Sequence, residues 1–179
     1  MNSILNDVQN MGADSCVQLP VALLVPDEGV RAACEKGRCD GFGRNYMCPP
    51  FIGSFHEIRK RLSKYNHGIL FQQAHPVVDK NDCNVVQRTQ QASYDLVLRV
   101  ERYLESSGIH DHWGMPGGQC IVCSPCNAQK NLPCVFPSRA RNSLEAIGIS
   151  VMSLNEALGL HHTFQPGKIV WTACVLWSE

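Results

Sequence analysis

The chain has 179 residues, 44% of them hydrophobic, with sixteen basic side chains balanced by sixteen acidic ones. That length supports one domain with a real core, and zero net charge excludes broad electrostatic attraction to nucleic acid or anionic membranes. No apolar stretch approaches the ~20 residues of a membrane span, and the opening MNSILNDVQNMGADSC lacks the basic and apolar regions of an export signal.

Residues 1–15 are polar and are expected to form a flexible N-terminus, followed by a single domain over residues 16–179. Val17 to Val25 is apolar and β-prone, and Pro20 restricts any strand there to a sheet edge. Asp27 caps a short helix that carries Val30 and Ala33 and ends near Cys34. Cys39 to Pro50, with Gly41, Gly43 and two prolines, is a loop. Ser54-Phe55-His56-Glu57 is a capping box, and Phe55, Ile58, Leu62 and Tyr65 line one face of the helix it opens. Gly68 to Gln72 reads as a strand, and His75 to Asp82 as a polar loop.

The longest helix is predicted from about Val86 to Ser107, with Tyr94, Val97, Val100 and Leu104 as its buried stripe and Gly108 as its stop. His110 to Gln119 is short and Gly-rich and leads into a cysteine motif. Asn142-Ser143-Leu144-Glu145 and Ser153-Leu154-Asn155-Glu156 each read as the start of a short helix. Lys168 to Trp177 is apolar on both faces and is expected at the centre of a sheet. Strands and helices without regular βαβ alternation indicate an α+β fold, a small sheet packed with several helices and carrying two cysteine-rich metal-binding loops.

Seven of the ten cysteines fall into two groups. Cys34, Cys39 and Cys48 are spaced C-x4-C-x8-C and followed by Pro49 and Pro50; Cys120, Cys123, Cys126 and Cys134 are spaced C-x2-C-x2-C-x7-C. In a chain expected to stay in a reducing cytosol, such groups point to metal or redox chemistry rather than disulfides. The second group resembles the bacterial ferredoxin run that holds a [4Fe–4S] cubane, whose four thiolates sit about 6–7 Å apart. Three close cysteines supply three corners, and Asn131-Leu132-Pro133 can reverse the chain to bring in Cys134. Zinc also takes four cysteines, usually as two separated C-x2-C pairs, and is the alternative.

The first group has three cysteines, so it either recruits a fourth ligand or keeps an open metal position. Cys83, Cys16 and Cys174 are the candidates; Cys83 is favoured because its surroundings are polar, whereas Cys174 lies in an apolar strand. Gly41 and Gly43 can let backbone amides approach cluster sulfurs. Lys36, Arg38 and Arg44 can offset thiolate charge or form an ordinary solvated face, and Phe42 and Tyr46 can shield the site or belong to the core. His110 and His112, two apart, share a face of an extended segment, whereas adjacent His161 and His162 face opposite sides; structural or surface roles are the default for both pairs.

Three stretches carry a resemblance: Val30-Arg31 through CDGFGRNYMCPP, HEIRKRLSKYNHGILF, and CIVCSPCNAQKNLPCVFPSRARNSLEAIGISV. Across residues 30–151 the chain resembles a family of cysteine-rich predicted metal-binding proteins of anaerobic bacteria and archaea. It departs mildly at Phe42, Tyr46 and Asn142, where tyrosine, tryptophan and proline are common. The resemblance implies iron–sulfur binding in an anaerobic cytoplasm and supplies no reaction.

Three functions follow as expectations. The leading one is an electron-transfer protein with one or two [4Fe–4S] clusters that works with a redox partner protein, a corrinoid or a small molecule. The second is an enzyme whose open-site cluster at Cys34, Cys39 and Cys48 binds substrate; the third is a zinc-stabilised adaptor. Neither a nucleic acid nor a membrane is expected as a partner.

Overall fold

Two ten-residue strands pair along their whole length and organise everything else. The computed structural model describes residues 2–37, 39–79, 82–161 and 164–178. In chain order these form helix α1 (Asn2–Asn10), strand β1 (Ser15–Gln18), helix α2 (Glu28–Lys36), helix α3 (Phe55–Leu62), strand β2 (His67–Pro76), helix α4 (Cys83–Ser106), strand β3 (His112–Met115), helix α5 (Val151–Ala157), and strands β4 (Phe164–Gln165) and β5 (Lys168–Trp177), with short 3-10 turns between. The sheet runs β1-β2-β5-β3, and β4 also pairs with β5. Every pairing is antiparallel.

The strand alternation sorts the core into two layers. Ile69, Phe71, Ala173, Val175 and Trp177 face Val8 of α1 and Leu96, Val97, Val100 and Leu104 of α4. Leu70, Cys174 and Leu176 face the other way, onto Ile58 and Leu62 of α3, Leu154 of α5 and the turn around Leu144 and Ile147. Antiparallel sheets commonly leave one face to water, but both faces are covered here, which is why Lys168 to Trp177 reads as apolar on both faces. The fold is a single α+β domain with many cysteines.

Several expectations hold. β1 lies at the edge of the sheet and stops before Pro20. Asp27 accepts a hydrogen bond from the Val30 amide at the start of α2, and the Ser54–Glu57 capping box is complete. Others are corrected. The leader expected to be loose is helical from Asn2 to Asn10 and buries Val8, because its few apolar side chains share one face that docks on the sheet. β2 extends through His75 and Pro76, since its whole length pairs with β5. α4 begins at Cys83 under an Asp82 cap rather than near Val86. Within the short Gly-rich stretch, for which the sequence predicts no element, His112–Met115 is a strand that pairs with β5. α5 is capped by Ser150, three residues before the expected Ser153.

Gly114 explains how closely β3 and α4 approach. A β-carbon there would lie 2.5 Å from Val97 Cγ1 and 2.6 Å from Glu101 Oε1. Its amide instead donates to Glu101 Oε1 at 2.8 Å, deep in the interior. Among the described residues no helix is long and apolar enough to cross a membrane.

Candidate metal centre

The two cysteine groups are brought to one side of the domain by different elements. Cys34 lies in the last turn of α2, and the Cys39 amide donates to its carbonyl at 3.1 Å. The chain then coils: Phe42 bonds back to Cys39, Gly43 to Pro49 and Cys48 to Asn45. Gly43, expected to offer its amide to sulfur, spends it on the Pro49 carbonyl at 2.9 Å. Gly41 makes the close approach instead, since a β-carbon there would lie 2.7 Å from Cys48 Sγ and 2.6 Å from Gln119 Oε1. Cys34, Cys39 and Cys48 line a cavity of about 230 Å³ together with Phe42, Gln119 and Glu145.

The second group follows β3. Cys126 precedes a 3-10 turn over Asn127–Lys130, and Asn131 then adopts a left-handed conformation (φ 53°), which is the expected chain reversal. Asn127 Nδ2 donates to the Pro133 carbonyl at 2.9 Å, closing the loop that returns Cys134 to its group. Cys123 hydrogen bonds to Cys126 and feels Cys120 and Cys134 electrostatically; burial first, then these neighbours, raises its thiol pKa. Cys120, Cys123 and Cys126 line a cleft of about 670 Å³ with Arg44 and Gln90.

Cys48 stands where the groups meet. Burial pushes its thiol up to about 12, and Cys39 and Cys34 of its own group and Cys120 and Cys126 of the other all add to the effect. Asn45, itself buried, donates from Nδ2 to the Cys120 carbonyl at 2.7 Å, and Tyr46 donates its hydroxyl to the Leu132 carbonyl at 2.8 Å. These two bonds stitch one cysteine loop to the other. Tyr94 of α4 places its hydroxyl 3.4 Å from Cys120 Sγ and 2.8 Å from the Arg139 carbonyl, while accepting from the Arg141 amide at 2.8 Å. No local pattern marked Asn45 or Tyr94 as part of this region: one reads as a loop residue, the other as helix core.

The candidates for a fourth ligand separate. Cys16 and Cys174 are packed in the two core layers, where burial alone raises both thiols, Cys16 to about 12. Cys83 is exposed at the start of α4 and lines the cleft of the second group, not the cavity of the first. The first group's cavity instead holds a carboxyl, Glu145. Burial raises the pKa of that carboxyl, while the Ser143 side chain and its own backbone amide favour its charged form. Cys34 is raised by burial, by Cys39 and by Glu145, against the opposing pull of Arg31.

Lys36 is exposed at the end of α2, and Arg38 lies outside the described residues. His112 lies 3.1 Å from Glu105 and 3.4 Å from Glu101; His110 is exposed. The His161 carbonyl accepts from Gln72 and Asn155, and His162 lies outside the described residues.

The donors are the soft thiols of the two cysteine groups, a set suited to iron–sulfur clusters or zinc. Among the described residues, no three His, Cys, Asp or Glu side chains are drawn together closely enough to hold a single metal ion. Gly41 offers the first test of the region. The Gly41→Ala variant is expected to push Cys48 out of place and to lower the metal retained per chain while the fold survives. Elemental analysis beside a thermal melt measures both, and wild-type metal content in the alanine variant would contradict it.

A family model described as "Predicted metal-binding protein (DUF2284)" matches residues 18–177. No curated protein matches the chain, and no solved structure does.

Proposed function

Because this chain belongs to the predicted metal-binding protein family DUF2284, we propose that it is an iron–sulfur protein with a redox role in anaerobic metabolism. In this reading Cys120, Cys123, Cys126 and Cys134 hold a [4Fe–4S] cluster, and Cys34, Cys39 and Cys48 hold a second centre. The chain exchanges electrons in the cytoplasm with a redox partner protein or a corrinoid. The observation that carries the reading is the position of Cys48, a buried thiol within electrostatic reach of two cysteines of its own group and two of the other. Centres built on the two groups are therefore neighbours, as electron passage between them requires.

A bound cluster supplies reversible one-electron chemistry. The chain's own residues set the conditions for it. Asn45 anchors the Cys120 carbonyl, Tyr94 offers a hydroxyl near the Cys120 sulfur, and Gly41 gives Cys48 room. Hydrogen bonds to ligand sulfurs stabilise the more reduced, more negative state and so raise the potential.

One observation favours a second reading, an enzyme with an open position on the first centre. Three cysteines and a carboxyl line that cavity, and the fourth-ligand candidate favoured from the sequence, Cys83, faces the other cleft.

The test is iron, sulfide and zinc analysis of anaerobically purified protein, with its absorbance and its EPR spectrum after dithionite. Stoichiometric iron and sulfide with a broad band near ~400 nm are expected. Stoichiometric zinc without iron in such a sample establishes the adaptor reading instead.

A further inference from the structure

A second cavity, of about 320 Å³, lies against β5 beside the first cysteine group. Its walls include Val151, Val170, Trp171 and the glycine pair Gly117–Gly118. The glycines are needed there: a β-carbon on Gly117 would stand 2.9 Å from Trp171 Cε3, and Gly118 has φ +77°. The indole of Trp171 is fixed at its nitrogen, which donates to Thr89 Oγ1 at 3.0 Å. Lys168 lies at the exposed rim.

One acidic group enters this apolar space. Glu145 lines both this cavity and that of Cys34, Cys39 and Cys48, as does Gly118. Its Oε2 is buried and has no hydrogen-bond partner among the described residues. A buried acceptor left unpaired costs on the order of 1–3 kcal/mol, and structures normally satisfy such atoms. A pocket of this size with mainly apolar walls and a few polar groups is the usual form of a small-molecule site.

We propose that this cavity binds a small, largely apolar molecule carrying one amine or hydroxyl, its body against Trp171 and its N–H or O–H donated to Glu145 Oε2. The assignment is independent of which metal the cysteines hold. It places the polar end of the ligand beside the first cysteine group, because the same carboxyl borders both cavities.

Calorimetric titration of the anaerobically isolated protein with benzyl alcohol and with toluene tests it, since the two probes differ by the donor. Benzyl alcohol is expected to bind about tenfold more tightly, the worth of one buried hydrogen bond. In Glu145→Leu that preference is expected to vanish or reverse, while Glu145→Gln, which keeps a carbonyl oxygen, retains part of it. Ile169→Trp, at the cavity wall, is expected to weaken both probes with the iron content unchanged. Equal affinities that Glu145→Leu leaves untouched, or binding of neither probe, overturn the proposal. A failure of iron to appear in the same preparation counts against the cluster reading alone.

Discussion

On the proposed two-cluster reading, Cys48→Ser is expected to lower the iron bound at both cysteine groups, whereas Cys134→Ser lowers it only at the second. The difference comes from position. Cys48 is buried and lies within electrostatic reach of Cys34, Cys39, Cys120 and Cys126, whereas Cys134 is half-buried and stands on the returning arm of its own loop. Serine keeps the size of the side chain but loses the soft thiolate that iron requires. With two clusters, Cys134→Ser should retain about half of the wild-type iron, and Cys48→Ser clearly less. Iron and sulfide per chain, with EPR to separate the centres, give the answer. If both variants lose the same amount, the two groups do not meet at Cys48.

The largest effect on stability is expected at a site with no cysteine. Glu101 of α4 is 3% exposed, and Arg141 grips its carboxylate through Nε at 2.9 and 3.0 Å and through a second nitrogen at 2.8 Å. The Gly114 amide donates to the same carboxylate, and His112 stands 3.4 Å away. Arg141→Ala leaves that charge buried without its main partner and is expected to cost about 3–5 kcal/mol. A double variant, Glu101→Gln with Arg141→Met, keeps an acceptor for Gly114 while removing both charges, and is expected to recover most of the loss. Denaturant unfolding under anaerobic conditions reads out both; a single variant within about 0.5 kcal/mol of wild type would show the pair to be dispensable. Arg141 also follows the second cysteine loop, and its amide donates to Tyr94, so metal content should fall along with stability.

Local signals carried most of the fold. The capping box at Ser54 and the cap at Asp27 need only residues three apart, and the stripe of Tyr94, Val97, Val100 and Leu104 repeats at helical spacing. Local signals failed where pairing or docking decided the outcome. His112–Met115 is too short to announce a strand, and it becomes one because β5 offers an unpaired edge. Asn2–Asn10 looks soluble and loose until the sheet supplies a surface for Val8.

What the amino-acid sequence determined by itself is the chemistry: a chain with seven cysteines in two tight groups, reversals placed to gather them, and apolar periodicity sufficient for a covered sheet. What only the tertiary structure decided is adjacency. Asn45 reaches the Cys120 carbonyl across 75 positions of chain, Cys83 turns to the second group rather than the first, and the carboxyl of Glu145 comes to rest between two cavities. Spacing along the chain governs which side chains one loop or helix can present together. Which loops then meet is set by strand order and by helices packing on both faces of the sheet, and those long-range choices leave no mark in any short stretch of sequence.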